Sequence, residues 1–98
     1  MLTSKQRAKL RSMSNETDAI FQIGKGGIGD NMLARISDAL EARELIKLHV
    51  LESYGDTART AAETVAAAVS ADVVSVTGGR FVIYRESKKL KKEKRIVL

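Results

Sequence analysis

A chain of 98 residues, 44% of them apolar, has material for one modest core, so a single domain is expected and no second. With no cysteine it has no disulfide, no thiolate nucleophile and no thiolate zinc site, and it lacks the run of about 18 apolar residues that spans a bilayer. The net charge of +5 is unevenly spread: residues 1–14 carry Lys5, Arg7, Lys9 and Arg11 with no acid, and residues 86–98 carry six bases against two acids, whereas residues 15–85 hold seven bases and ten acids. Two basic blocks around a slightly acidic middle suit a polyanionic partner, although solvated termini would show the same charge. The polar opening MLTSKQRAKLRSM lacks the apolar stretch of a secretory leader, and a cytoplasmic location is expected.

Thr3-Ser4-Lys5-Gln6 fits a capping box, in which a hydroxyl and a returning amide satisfy the free N–H groups of a helix start. A helix over 4–13 follows, with Leu2, Gln6, Leu10 and Met13 on one thin stripe, Lys5 and Lys9 on one flank, and Arg7 and Arg11 on the other. Such a helix should be the least firmly attached part of the fold. Residues 19–23 read as a strand, and Gly24-Lys25-Gly26-Gly27-Ile28-Gly29 as a loop. Asp30 is the expected N-cap of a second helix with Leu33, Ile36 and Leu40 facing inward.

Residues 45–51 form a strand in which Ile46, Leu48 and Val50 alternate with Lys47 and His49. After a loop at 52–55, Asp56 is the expected cap of a third helix to about residue 70, whose inward side chains (Ala58, Ala61, Ala62, Val65, Ala66, Val69) are small enough to lie close on a sheet. Residues 73–76 and 81–84 make a hairpin closed by Gly78 and Gly79, read as positive-φ positions. The order helix-strand-helix-strand-helix-strand-strand predicts an α/β domain, a mixed four-stranded sheet with packed helices, over 1–86. Residues 87–98 lack a burial pattern and are expected to be a mobile basic tail, with an anchor at Ile96-Val97-Leu98.

The glycine loop is the sharpest local feature. Glycines let a ligand approach the backbone, a helix start offers N–H groups to a phosphate, and Lys25 adds a point charge. This is the chemistry of the G-x-x-G clamp that grips a nucleic-acid backbone. The same glycines equally suit a plain strand-to-helix turn, and a carboxylate at Asp30 competes for the same dipole. The loop matches neither a P-loop nor a dinucleotide fingerprint.

One histidine, His49, and no cysteine do not assemble a nucleophile, base and orienter, so no catalytic residue is expected. No ligand spacing calls for a metal or cofactor. The four aromatics, Phe21, Tyr54, Phe81 and Tyr84, are too few for a stacking platform, and three of them are assigned to the core.

Together these residues resemble a stand-alone bacterial CRM domain (chloroplast RNA splicing and ribosome maturation). The match rests on the basic first helix with Lys5-Gln6-Arg7, the Ile23-Gly24-Lys25-Gly26-Gly27 loop, Glu44-Leu45-Ile46-Lys47, and the ending Gly79-Arg80-Phe81-Val82-Ile83-Tyr84-Arg85. The resemblance implies a fold similar to the C-terminal domain of translation initiation factor three. It also implies RNA binding through Gly24, Lys25, Gly26 and Gly27, and association with ribosomal RNA in precursors of the large ribosomal subunit. Charge adds Lys5, Arg7, Lys9 and Arg11 to the RNA-binding set, and Lys88, Lys89, Lys91 and Lys92 from the tail. A monomer is expected. The competing class is a protein-interaction or membrane-surface module using the basic tail; that tail lacks a bulky apolar helical face, so no membrane partner is expected.

Overall fold

The computed structural model describes residues 2–98. In chain order it has α1 (Ser4–Ser14), β1 (Ala19–Ile23), α2 (Asp30–Arg43), β2 (Leu45–Val50), α3 (Ala58–Val69), β3 (Asp72–Thr77) and β4 (Arg80–Tyr84). Short 3₁₀ turns cover Glu52–Tyr54 and Lys92–Lys94. This is the α/β order expected from the sequence. The sheet runs β1-β2-β4-β3, with β1 parallel to β2 and β4 antiparallel to both β2 and β3. The β2-α3-β3 passage thus skips one strand position, and the hairpin returns β4 into it. Placed centrally, β4 is buried on both faces from Phe81 to Tyr84.

Alternation along β2 and β4 divides the apolar side chains between two cores. Ile46, Leu48, Val50, Phe81 and Ile83 meet Ile36 and Leu40 of α2 and the small face of α3. On the opposite face Leu45, Val82 and Tyr84 join Val74 and Leu10 of α1, edged by Leu2 and Ile96. The molecule is therefore layered: α1, then the sheet, then α2 with α3.

Local chemistry explains the element boundaries, with some differences from expectation. The capping box at Thr3 is present, Thr3 N–H donating to Gln6 Oε1 at 3.0 Å and Gln6 N–H to Thr3 Oγ1 at 3.1 Å. The buried stripe of α1 continues to Ser14 and leaves Met13 41% exposed, because the i, i+4 step from Leu10 points at the sheet and the i, i+3 step does not. Gly29, not Asp30, is the N-cap of α2, with Asp30 in its first turn. Thr57, not Asp56, caps α3 by accepting from Thr60 N–H at 3.1 Å, while Asp56 accepts from Thr57 N–H at 2.7 Å.

In the hairpin only Gly78 takes a positive φ, of 59°. Gly79 is glycine for closeness, since a Cβ there would stand 3.1 Å from the Val50 carbonyl oxygen.

The segment after Tyr84 is more ordered in its bonding than its composition suggests. Ser87 is fully buried, and of the expected anchor Ile96-Val97-Leu98 it is Ile96 that packs beside Leu10 and Tyr84, while Val97 and Leu98 are exposed. Glu44 makes this arrangement. Its carboxylate accepts from Ser87 N–H at 2.7 Å and from Ile96 N–H at 2.6 Å, and its own carbonyl accepts from Arg85 N–H at 2.9 Å. Glu44 is fully buried and ends α2 at φ 65°, a conformation that favours glycine. The carboxylate clasp explains why a glutamate stands there.

Candidate nucleic-acid interface

The parallel β1–β2 pair and the hairpin set three turns at one end of the sheet: the glycine loop after β1, the 3₁₀ turn after β2, and Gly78-Gly79. In the glycine loop Gly27 N–H donates to the Gly24 carbonyl at 2.9 Å, closing a tight turn around Lys25 and Gly26. The glycines have different reasons to be there. A Cβ at Gly24 would stand 3.0 Å from Ser53 Oγ and 3.3 Å from Leu51 Cδ1, a tight fit that glycine avoids. Gly27 has φ 70°, which the turn requires. Gly26 has neither constraint, since a Cβ built there has nothing within 4 Å. Its bareness leaves exposed backbone beside the exposed Lys25.

This loop leads into α2, whose N-cap makes no side-chain hydrogen bond, whereas Thr3 and Thr57 close the starts of α1 and α3. N–H groups at the α2 start are thus left for an external acceptor, with Asp30 as a local counter-charge. Phe81 and Tyr84 are buried, and Phe21 is half-buried with the Arg35 guanidinium 5.7 Å from its ring centre. These three rings sit in the core, as expected, and Tyr54 is half-buried.

The basic residues separate into distinct groups. Arg7 and Arg11 share one flank of α1, bordering a hollow with Leu2, Ser4 and Ala8. Lys5 and Lys9 lie on the other flank near Leu98, and Lys9 Nζ donates to the Val97 carbonyl. Lys9 is therefore engaged with the C-terminal segment. Because α1 rests on β2, β3 and β4, its cations lie across the sheet from the α2 and α3 layer. Lys88, Lys89, Lys91 and Lys92 are exposed.

Sequence reasoning overlooked two groups. Arg85 is a structural staple: Nη1 donates to the Val69 carbonyl at 2.8 Å and Nη2 to the Ser37 carbonyl at 2.9 Å, with Glu41 at 3.8 Å. The Ser87 hydroxyl faces the Glu41 carbonyl at 2.6 Å and its carboxylate at 2.9 Å. That hydrogen bond, helped by Arg85 against the opposing effect of desolvation, holds the Glu41 carboxyl below its ordinary value. The second group is Lys47 and Arg80, which face α1 across a cleft also lined by Arg11. Alternation marks Lys47 as outward, but its meeting with Arg80 depends on the β2–β4 register.

Among the described residues no cluster of His, Asp or Glu has the makings of a metal site, and no helix is long and apolar enough to cross a membrane.

The chain is similar to known proteins along nearly its whole length. It is 44% identical over 91 residues to the "Probable RNA-binding protein YqeI" of Bacillus subtilis, covering 93% of this chain and 95% of the relative. It is 28% identical over 90 residues to an "RNA-binding protein" of Haemophilus influenzae, covering 92% of this chain and 91% of that one. A Staphylococcus aureus protein, whose solution structure is described as that of "a putative RNA binding protein", superposes with a TM-score of 0.74 at 48% identity, covering 94% of this chain and 96% of the other. The model of the CRS1 / YhbY (CRM) domain matches residues 2–85, and the chain belongs to that family.

Proposed function

We propose that this protein binds RNA without catalysing a reaction, holding the phosphate backbone at Gly24, Lys25, Gly26 and Gly27. The observation that carries this reading is Gly26: the fold leaves it bare and open, next to a cation and to a helix start that no side chain closes. The names of its relatives support RNA as the partner. One histidine and no cysteine in the chain support a binding role over catalysis. Lys5, Arg7, Lys9 and Arg11, together with Lys88, Lys89, Lys91 and Lys92, add backbone attraction. The family resemblance supports ribosomal RNA as the target, with the protein acting as a cytoplasmic monomer on precursors of the large ribosomal subunit.

Gly26→Asp tests the loop, because a Cβ at that position meets nothing in the fold. Added negative charge should weaken RNA binding at least tenfold, about 1.4 kcal/mol, with the melting temperature unchanged. Fluorescence anisotropy with a labelled RNA reads the outcome, and full affinity in the folded variant reduces the loop to a turn. The cellular role is tested by gradient sedimentation of an extract. The protein should travel with large-subunit precursors, and travelling with membranes instead would overturn the assignment.

A further inference from the structure

The sheet face beside α1 is only partly covered. Leu10 covers Leu45, Val74, Val82 and Tyr84, and the remaining residues of that face toward the glycine-loop end are polar. Strand register aligns them: Gln22 pairs with His49, His49 with Arg80, and Arg80 with Thr77, one residue from each strand in spatial order. All four lie on the α1 side. Gln22 alternates with core residue Ile23, His49 with Leu48 and Val50, and Arg80 and Thr77 line the cleft against α1. This polar row ends, at β1, two residues before Gly24.

Beneath the row is a cleft of about 280 Å³ lined by Arg11, Ser14, Asn15, Lys47, Ser75, Thr77, Arg80 and Val82. Three cations converge there and no carboxylate lines it. Ion pairs among the described residues go to Arg85 and Arg95, not to these three. Like charges gathered in a hollow repel one another, and a bound polyanion relieves that repulsion. Lys47 is half-buried, which strengthens its field relative to a fully solvated lysine. The Ser75 and Thr77 hydroxyls and the Asn15 amide between the cations can donate to phosphate or sugar oxygens, whereas the buried Ser14 hydroxyl already donates to the Arg11 carbonyl at 2.7 Å.

We infer that this cleft is a second RNA-backbone contact, in which Arg11, Lys47 and Arg80 hold phosphates of the same strand that the glycine loop grips. The inference rests on the RNA-binding reading above and extends its site across the sheet. Strands about 4.8 Å apart place the β4 side of the cleft about 10 Å from β1, a path of a few nucleotides over Gln22 and His49.

The test uses single-stranded oligouridylates of about four and about twelve nucleotides, the shorter matching a lone loop clamp and the longer able to cross the sheet. Wild-type protein should bind the longer one more tightly. Lys47→Gln combined with Arg80→Gln should lose about tenfold on the longer oligomer and nothing on the shorter, and the salt slope for the longer should fall by roughly 1.4, about 0.7 for each cation removed. A folded double variant that binds the longer oligomer like wild type overturns the inference, as does an equal loss on both lengths. Amide shifts of the wild-type protein give an independent reading that needs no variant. Lys47, Thr77 and Arg80 should move with the longer oligomer alone, and their silence would overturn the cleft. Wild-type protein that binds neither oligomer overturns the RNA reading itself, whereas intact loop binding with an inert cleft overturns only this extension.

Discussion

Single residues carry unusual weight in this small domain, and Glu44 most of all. Its two carboxylate oxygens each accept one backbone N–H from the C-terminal segment, inside a fully buried site. Glu44→Ala strands those donors and keeps the unfavourable φ, so a loss of about 3 kcal/mol is expected in urea unfolding. Glu44→Gln restores one acceptor but turns an amide N–H₂ toward the other donor, so it repairs only half. Hydrogen exchange at Ser87 and Ile96 should quicken in both variants, and unchanged protection would show that the clasp is not what holds the segment. Glu41 gives the pH counterpart. Its carboxyl is lowered in the folded state from 4.5, first by the Ser87 hydroxyl and also by Arg85 and the Lys88 backbone, with burial opposing. A lowered folded value means that its contribution is present above pH 4.5 and disappears as the pH falls through the folded value. Melting curves of wild type and Glu41→Gln should therefore differ at neutral pH and converge in acid; a constant difference would assign the effect to shape and not to charge.

At the scale of elements, α1 is held to the sheet mainly through one apolar side chain. Among its apolar side chains Leu10 alone is fully buried, with Ser14 the other buried residue of the helix. Leu10→Ala removes the packing against Leu45, Val74, Val82 and Tyr84 and should cost about 2–5 kcal/mol. The damage should be local, since the core under α2 and α3 contains none of these residues. Amide exchange should rise across residues 4–14 before it rises in α3, and a uniform rise would show that the two layers unfold as one. Because α1 delivers Arg11 to the cleft, the same variant should also weaken binding of a long RNA.

For the whole molecule, the chain's last residues return to α1, while the basic block before them lies against α2. Lys9 bonds the Val97 carbonyl beside α1, whereas Lys89 borders a hollow with Asp38, Glu41 and Ala42 of α2 on the other side of the sheet. Cutting the chain after Arg85 would also remove the partners of Glu44, which makes substitution the better test. Replacing Lys88, Lys89, Lys91 and Lys92 with Gln keeps Ser87 and Ile96 in place. The salt slope on single-stranded RNA should flatten by about 0.7 for each phosphate no longer neutralised, with all RNAs weakened alike. Changing Lys5, Arg7, Lys9 and Arg11 to Gln should instead weaken large-subunit ribosomal RNA more than a random competitor, since a docked surface reads shape. Discrimination that survives the helix change and vanishes with the tail change would reverse the two assignments.

Local rules in the sequence determined the elements. The capping box at Thr3, the alternation through Ile46, Leu48 and Val50, the small face of α3 and the glycine turns each act within a few residues, so pattern alone placed them. The charge blocks and the glycine loop were legible for the same reason. Burial on both sides of β4, the joining of Lys47 to Arg80 and the clasp of Glu44 on Ser87 and Ile96 link residues 33 to 52 positions apart, and only strand order and register bring them together. Cap positions shifted by one residue, Gly29 for Asp30 and Thr57 for Asp56, because the backbone turns helical one residue away from where the side chains suggest; Thr57 closes its helix start with a hydroxyl, and Gly29 leaves its own without a side-chain bond. Distant pairing is a property of the whole fold: each such pair forms only where many others have already fixed the chain's path, and no window of sequence contains that information.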